Sequence, residues 1–77
     1  MTYDQIMQWQ RGTMAERVAA DLASQIETGK LSKWDSLPLN RTLAGKHNVS
    51  ERTVSKAKRL LGGHGMLVMD GHRYYVA

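Results

Sequence analysis

The feature that most constrains the fold is a tight polar turn, His47-Asn48-Val49-Ser50, between two short helical patterns. Asparagine tolerates the left-handed backbone that such a turn requires, and a serine at the last of these positions is a good N-cap for the helix that follows. The apolar spacing predicts helices over residues 39–47 and 51–62, the second of which stops at Gly62-Gly63. Two short helices joined by so tight a turn are typical of a helix-turn-helix.

The helix predicted over residues 51–62 has two chemically different sides. At 100° per residue, Val54, Ala57 and Leu61 fall within about 60° of one another, which predicts one buried stripe. Lys58 falls on the flank between the two sides. An ordinary solvated helix surface would also explain the cations that gather opposite the stripe, so their partner stays open at this point. These cations are Arg52, Lys56 and Arg59.

An earlier helix is predicted over residues 14–28. The run from Thr13 to Glu16 matches a capping box, in which the hydroxyl and the carboxylate each accept a backbone N–H. Gly29 is the predicted stop. Residues 31–38 have no period and form a connector, after which Asn40 is a candidate cap for the next helix. The predicted buried stripe of this first helix consists of Met14, Val18, Leu22 and Ile26.

After Gly65 the apolar period changes from that of a helix to that of a strand. Residues 66–69 and 73–76 predict two strands, and Asp70-Gly71 between them is a two-residue hairpin signal. An isolated hairpin is marginally stable, so this one has to pack on the helices. The predicted fold is therefore mostly α with a small β hairpin: a winged helix-turn-helix of three helices plus a wing.

Seventy-seven residues allow one domain at most. We assign residues 13–77 to the winged helix-turn-helix. Residues 1–12 are harder to interpret: Ile6 and Trp9 are spaced to share one side of a short helix, or the segment is an arm that docks on this domain or on a second copy. We expect dimerisation to use this arm or a further segment.

Composition excludes several functional classes. There is no cysteine, so a disulfide framework and a thiolate metal site are excluded. No apolar run approaches the roughly 20 residues of a membrane span, and no signal peptide opens the chain. Histidines at positions 47, 64 and 72 have no short ligand spacing, and no nucleophile is paired with a base. The sequence predicts a cytoplasmic protein that is not an enzyme and has neither cofactor nor metal.

The net charge of +4 is unevenly placed along the chain. Residues 41–77 carry seven Lys and Arg against two Asp and Glu, a net of +5, whereas residues 1–40 carry four against five, a net of −1. A localised positive charge suggests a polyanionic partner, with nucleic acid first and an acidic membrane surface second.

Residues 18–76 resemble the DNA-binding domain of GntR-type bacterial transcription regulators. The resemblance implies a winged helix whose third helix enters the major groove, whose hairpin tip approaches the adjacent minor groove, and which dimerises on a two-fold-symmetric operator. The residues that carry the resemblance are, in order, Ile26-Glu27-Thr28-Gly29-Lys30-Leu31, Leu37-Pro38, Arg41, Leu43-Ala44, Asn48-Val49-Ser50, Thr53-Val54, Leu60-Leu61 and Gly65-Met66-Leu67.

The resemblance also implies roles for single residues. Arg41 matches an arginine at the start of the helix over residues 39–47 that contacts DNA in the family. Ser50 matches the family's cap that faces phosphate, and Thr53 matches a threonine near the groove. Gly71 and His72 fall at the wing tip. Together with the helix cations, the candidate DNA-contacting residues are Arg41, Ser50, Arg52, Thr53, Lys56, Arg59, Gly71, His72 and Arg73.

The chain also departs from the family pattern. Glu51 and Ser55 stand where the family favours arginine. Arg52 and Lys56, each one residue later, are the candidates to take over, which implies an operator unlike the family's common one. The usual effector-binding domain does not follow the wing in this sequence, so no site for a small-molecule inducer is expected.

We therefore predict a sequence-specific double-stranded DNA-binding transcriptional regulator, a repressor in preference to an activator, that acts as a homodimer. The rival hypothesis is a winged-helix adaptor whose basic surface binds an acidic protein and which has no preference among DNA sequences. Salt-dependent DNA titration separates the two hypotheses.

Overall fold

The computed structural model describes Trp9 and residues 12–77 of the chain. Most of the predicted arm over residues 1–12, including Ile6, lies outside the described residues. The described part has the predicted winged helix-turn-helix architecture of three helices and an antiparallel hairpin. In order, the elements are α1 (Met14–Glu27), α2 (Asn40–His47), α3 (Glu51–Gly63), β1 (Leu67–Asp70) and β2 (Arg73–Val76).

Helix α1 begins at the predicted capping box. The Oγ1 of Thr13 accepts the backbone N–H of Glu16 at 3.2 Å, and the Glu16 carboxylate accepts the N–H of Thr13 at 3.1 Å. Two backbone donors at the helix start are thereby satisfied. Just past the helix end, Gly29 has φ +82°, which is the left-handed conformation expected of a C-terminal stop.

The buried side of α1 differs from the prediction at its first residue. Met14 is 48% exposed, whereas Ala15 is buried. The reason is angular: the stripe is centred between Val18 and Ala19, close to the direction of Ala15, and Met14 lies roughly 100° away from that centre. The remainder of the predicted stripe is confirmed, with Leu22 fully buried and Ile26 packed against the core.

Helix α2 starts one residue later than predicted. Leu39 is its N-cap and is 52% exposed, and Asn40, the predicted cap, is the first helical residue. An N-cap residue has extended backbone, as Leu39 does with ψ 150°, so Leu39 precedes the helix instead of forming part of it. No side chain caps this helix start.

The turn between α2 and α3 has the predicted chemistry. Asn48 has φ 55° and ψ 49°, and Ser50 accepts the N–H of Thr53 at 3.1 Å as the N-cap of α3. Val49 before the cap is half-buried against the core, and Val54 at the fourth helical position is fully buried. This is the arrangement of a hydrophobic staple, which fixes the angle at which the chain enters α3.

The C-terminus of α3 was predicted one residue early. Gly62 and Gly63 lie inside the helix, and the left-handed residue is Gly65, at φ +77°. The N–H of Met66 donates to the carbonyl of Leu61 at 3.0 Å, and the N–H of Gly65 donates to that of Gly62 at 3.0 Å. These two bonds form a Schellman motif, which turns the chain from α3 into the hairpin.

One apolar core joins the three helices to the base of the hairpin. Helix α3 contributes Val54, Ala57 and Leu61, each with no exposed area. Leu67 and Val76 pair across the hairpin and are its two buried residues. The core thus anchors only the base of the wing. Its other members are Val18, Ala19, Ala20, Leu22, Ala23, Leu37, Leu43 and Ala44.

The hairpin turn is shifted by one residue from the prediction. Asp70 pairs with Arg73 as the last register pair, which leaves Gly71 and His72 as the two turn residues. Gly71 has φ +65° and His72 does not have positive φ. Glycine first in a two-residue turn is the pattern of a type II′ hairpin, whose twist suits the flanking strands.

The connector between α1 and α2 also pairs with the hairpin, which its lack of period did not predict. The backbone N–H of Trp34 donates to the carbonyl of Val76 at 2.8 Å, and the backbone N–H of Leu37 donates to the carbonyl of Tyr74 at 3.1 Å. In return, the N–H of Val76 donates to the carbonyl of Asp35 at 2.9 Å. This third backbone segment satisfies the edge of β2 and holds the wing against the helices.

Candidate nucleic-acid interface

Helix α3 presents three cations to solvent on the side opposite the core. Arg52, Lys56 and Arg59 are all exposed. Within the part of the chain that the structure describes, close contacts between a basic side chain and a carboxylate occur only at Asp21, whose Oδ2 lies 3.9 Å from the Nζ of Lys46 and 3.2 Å from the Nε2 of His47. The three α3 cations are therefore not neutralised by any described carboxylate.

Lys58, predicted on the flank between the two sides of α3, belongs to the buried side. Only 7% of the residue is exposed, and its Nζ donates to the backbone carbonyl of Pro38 at 2.8 Å. The position lies about 40° from Val54 around the helix, so its aliphatic stem joins the buried side. Burial lowers the pKa of the Lys58 ammonium. Its small angle to Val54 was the signal in the sequence that should have placed it inside.

The start of α2, the start of α3 and the wing tip enclose an open groove of about 420 Å³. Arg41, His72 and Arg73 line it and are exposed, so the structure brings together three candidates that are far apart in sequence. Glu51 is the acid on its wall, and Lys58 also lines it. The sequence alone does not connect Lys58 with this groove, because the contact depends on how the connector folds back.

Ser50 and Thr53 lie at the first turn of α3 as predicted. The Oγ of Ser50, besides capping the helix, lies 3.0 Å from the Oγ1 of Thr53. Ser50 is exposed and Thr53 is half-buried. Since one hydroxyl donates to the other, one O–H of the pair is left to donate to an external acceptor such as a phosphate oxygen.

Gly71 lies at the exposed wing tip but does not line the groove. Neither a cluster of three potential metal-ligating side chains nor a helix long and apolar enough to cross a membrane occurs in the described residues. The candidate surface therefore has two parts, which we call the α3 cation row (Arg52, Lys56, Arg59) and the basic groove (Arg41, Lys58, His72, Arg73).

Solved structures provide the comparison with known proteins. The DNA-binding domain of AraR, solved in complex with operator ORX1, is 27% identical with a TM-score of 0.80 over 86% of this chain and 81% of that chain. YtrA from Sulfolobus acidocaldarius, a GntR-family transcription factor, is 34% identical with a TM-score of 0.75 over 80% of this chain and 66% of that chain.

A third similar structure is longer. The possible transcriptional regulator YydK from Bacillus subtilis is 27% identical with a TM-score of 0.73, and the match covers 84% of this chain but 29% of that chain. No protein-family model and no curated protein sequence matches the chain. The three structures nevertheless share the fold, and each matches at least 80% of this chain at 27–34% identity. The chain is a winged helix-turn-helix domain of the GntR type.

Proposed function

We propose that this chain is a transcription regulator that binds double-stranded DNA and reads its sequence with α3. The observation that carries the proposal is the division of that helix. Val54, Ala57 and Leu61 are fully buried, while the α3 cation row is exposed and free of described ion pairs. An α-helix fits the major groove of B-DNA. The side of α3 that carries the cation row is exposed, whereas the opposite side is buried in the core, so the exposed side is the one available to the groove.

The cations divide the work by their chemistry. Arg52 has a planar fork that can pair with the O6 and N7 atoms of guanine, and Lys56 supplies a point charge for a phosphate or a base edge. Arg41 and the wing-tip residues His72 and Arg73 flank α3, where contacts to the sugar-phosphate backbone fix the position of the protein on the duplex. Gly71 lets the wing tip approach the minor groove closely.

The size of the domain favours a two-fold assembly. A single domain of this kind buries about 600–1,000 Å² of protein surface on DNA, which gives modest affinity alone. Two copies on half-sites about one helical turn apart would add their contacts. The similarity to an AraR domain that was crystallised with an operator supports duplex DNA as the partner. We infer that the regulator acts as a cytoplasmic repressor that blocks a promoter by occupancy.

The test is selection of bound sequences from a random duplex pool, followed by titration of the winner at several salt concentrations. We expect a two-fold-symmetric consensus and a plot of log K against log salt with a slope near −0.9 for each neutralised phosphate. Weak binding without a consensus would reject the proposal in favour of an adaptor that binds an acidic protein.

Two alanine variants test the assignment of α3. Arg52→Ala and Lys56→Ala should each weaken binding of the selected duplex by roughly 10- to 100-fold, in line with about 1–3 kcal/mol for a base or charge-assisted contact. Thermal unfolding should stay within a few degrees of the parent, because both residues lie opposite the core.

The matched control for these variants is Arg17→Ala. Arg17 is an exposed cation on α1 and points away from the side of α1 that packs on α3, so the loss of its charge should leave affinity nearly unchanged. Equal losses in all three variants would show a general charge effect rather than a reading helix.

A further inference from the structure

Lys58 is a buried residue whose ammonium the protein itself satisfies only in part. An ammonium carries three N–H donors, and the structure gives it one acceptor, the carbonyl of Pro38 at 2.8 Å. No described carboxylate lies within 4.0 Å of its Nζ. A buried charge without a counter-charge is costly unless another group balances it.

The surroundings of Lys58 are cationic rather than acidic. It lines the basic groove with Arg41, His72 and Arg73, and Glu51 is the acidic side chain on the wall. One water molecule needs roughly 10–15 Å³ of cavity volume on the same measure, so a groove of about 420 Å³ admits a phosphate group and its residual hydration. Two guanidinium groups and an ammonium around one opening fit a tetrahedral dianion or a phosphodiester better than any neutral ligand.

We propose that a backbone phosphate of the bound duplex enters the basic groove and is bound there by the Nζ of Lys58 together with Arg41 and Arg73. This inference rests on the proposed DNA-binding function and adds to it a phosphate contact from Lys58, a residue whose stem is buried. Because the stem of Lys58 is packed in the core and its head is tied to Pro38, the position of its ammonium is fixed relative to α3. The contact therefore sets how far along the duplex α3 lies.

A purely structural role for Lys58 makes a different prediction. If its ammonium serves only to hold the carbonyl of Pro38, its removal changes the unfolding temperature and leaves the salt dependence of DNA binding intact. If it binds phosphate, its removal takes away one neutralised phosphate, and the slope of log K against log salt becomes less steep by about 0.9.

The experiment compares the parent with Lys58→Met, which keeps the length and apolar character of the stem, and with Lys33→Met as the control. Lys33 is an exposed lysine whose Nζ lies 5.9 Å from the ring centroid of Trp34, outside the groove. We expect Lys58→Met to bind the duplex about tenfold more weakly, with a slope of log K against log salt that is less steep by about 0.9 and with an unchanged consensus sequence. Lys33→Met should change neither the affinity nor the slope. An unchanged slope in Lys58→Met would overturn the inference. The proposed DNA-binding function is tested separately, by the salt dependence of the parent.

A second measurement uses the parent alone, in case Lys58→Met does not fold. The side-chain ammonium resonances of Lys58 are followed by NMR as a short duplex and, separately, inorganic phosphate are added. A shift and slower hydrogen exchange with duplex support the inference, and signals that do not respond to the duplex overturn it. If the parent fails to bind duplex but its Lys58 signals respond to inorganic phosphate, the proposed function is wrong and the groove is a site for a different phosphate.

Discussion

Helices α1 and α3 pack on each other through similar apolar surfaces, yet their outward sides have different chemistry. Both begin at a hydroxyl N-cap, Thr13 for α1 and Ser50 for α3, and both bury leucine and valine completely. The outward side of α1 mixes Met14, Arg17 and the partly exposed Asp21, whereas that of α3 is a row of cations.

This difference shows which part of the chain the fold constrains. Burial fixes the inward residues of both helices to apolar types, so these residues say little about function. The outward residues are free of that constraint, and a row of three like charges there costs some mutual repulsion with no gain in packing. The row is then better explained by a partner than by stability.

The largest expected effect is a loss of stability when the buried apolar side of α1 or of α3 is truncated. Leu22→Ala on α1 and Leu61→Ala on α3 should each lower the free energy of unfolding by about 2–5 kcal/mol, because each removes a fully buried side chain from a thin core. Urea unfolding followed by circular dichroism measures both. A loss below about 1 kcal/mol in either variant would show that its helix does not contribute equally to the core.

The next largest effect is a change in duplex affinity when a charge on the outward side of α3 or of α1 is reversed. Lys56→Glu should weaken duplex binding by at least 100-fold, because it replaces an attraction to phosphate by a repulsion, and Arg17→Glu on the outer side of α1 should change it by less than about threefold. Fluorescence anisotropy at fixed salt compares them. Similar losses in the two variants would remove the distinction between α1 and α3.

Local signals made most of the helical part predictable. The capping box at Thr13, the left-handed Asn48 and the cap at Ser50 each use hydrogen bonds between residues at most four apart, so sequence alone was sufficient to place them. The opposition between the buried stripe and the cation row of α3 follows from helical geometry in the same way.

Long-range contacts were not predictable by these means. The pairing of residues 34–37 with β2 and the bond from Lys58 to Pro38, 20 residues away, depend on how separate elements meet. The basic groove shares this property, because Arg41 and Arg73 come together only in the folded chain. The sequence thus named the exposed cations of the candidate site, but neither Lys58 nor the grouping of these residues into a row and a groove.

The two N-caps should have smaller and nearly equal effects on stability. Thr13→Ala removes the capping box of α1, and Ser50→Ala removes the bond to the N–H of Thr53, so each should lower the free energy of unfolding by about 1 kcal/mol. Their duplex affinities should differ: Ser50→Ala should bind more weakly than Thr13→Ala, since only Ser50 lies beside the α3 cation row. Equal affinity of the two variants would limit Ser50 to its structural role.

The smallest effect is the response of α3 to pH. Burial lowers the pKa of Lys58, so between that lowered value and the ordinary lysine value of about 10.4 the unfolded chain binds more protons than the folded one. The free energy of unfolding of the parent, measured relative to Lys58→Met, should therefore rise as the pH rises through this window. Arg41, Glu51, His72 and Arg73 face the groove in both proteins, so the difference isolates Lys58.

Duplex binding should have the opposite dependence on pH, because a phosphate in the groove favours the protonated ammonium. The affinity of the parent relative to Lys58→Met should fall over the same window in which its relative stability rises. Anisotropy titrations and urea unfolding of both proteins at matched pH values measure the two trends. If the relative affinity stays flat while the relative stability rises, Lys58 titrates but does not hold a phosphate, and the cations that meet DNA are those of the exposed surface alone.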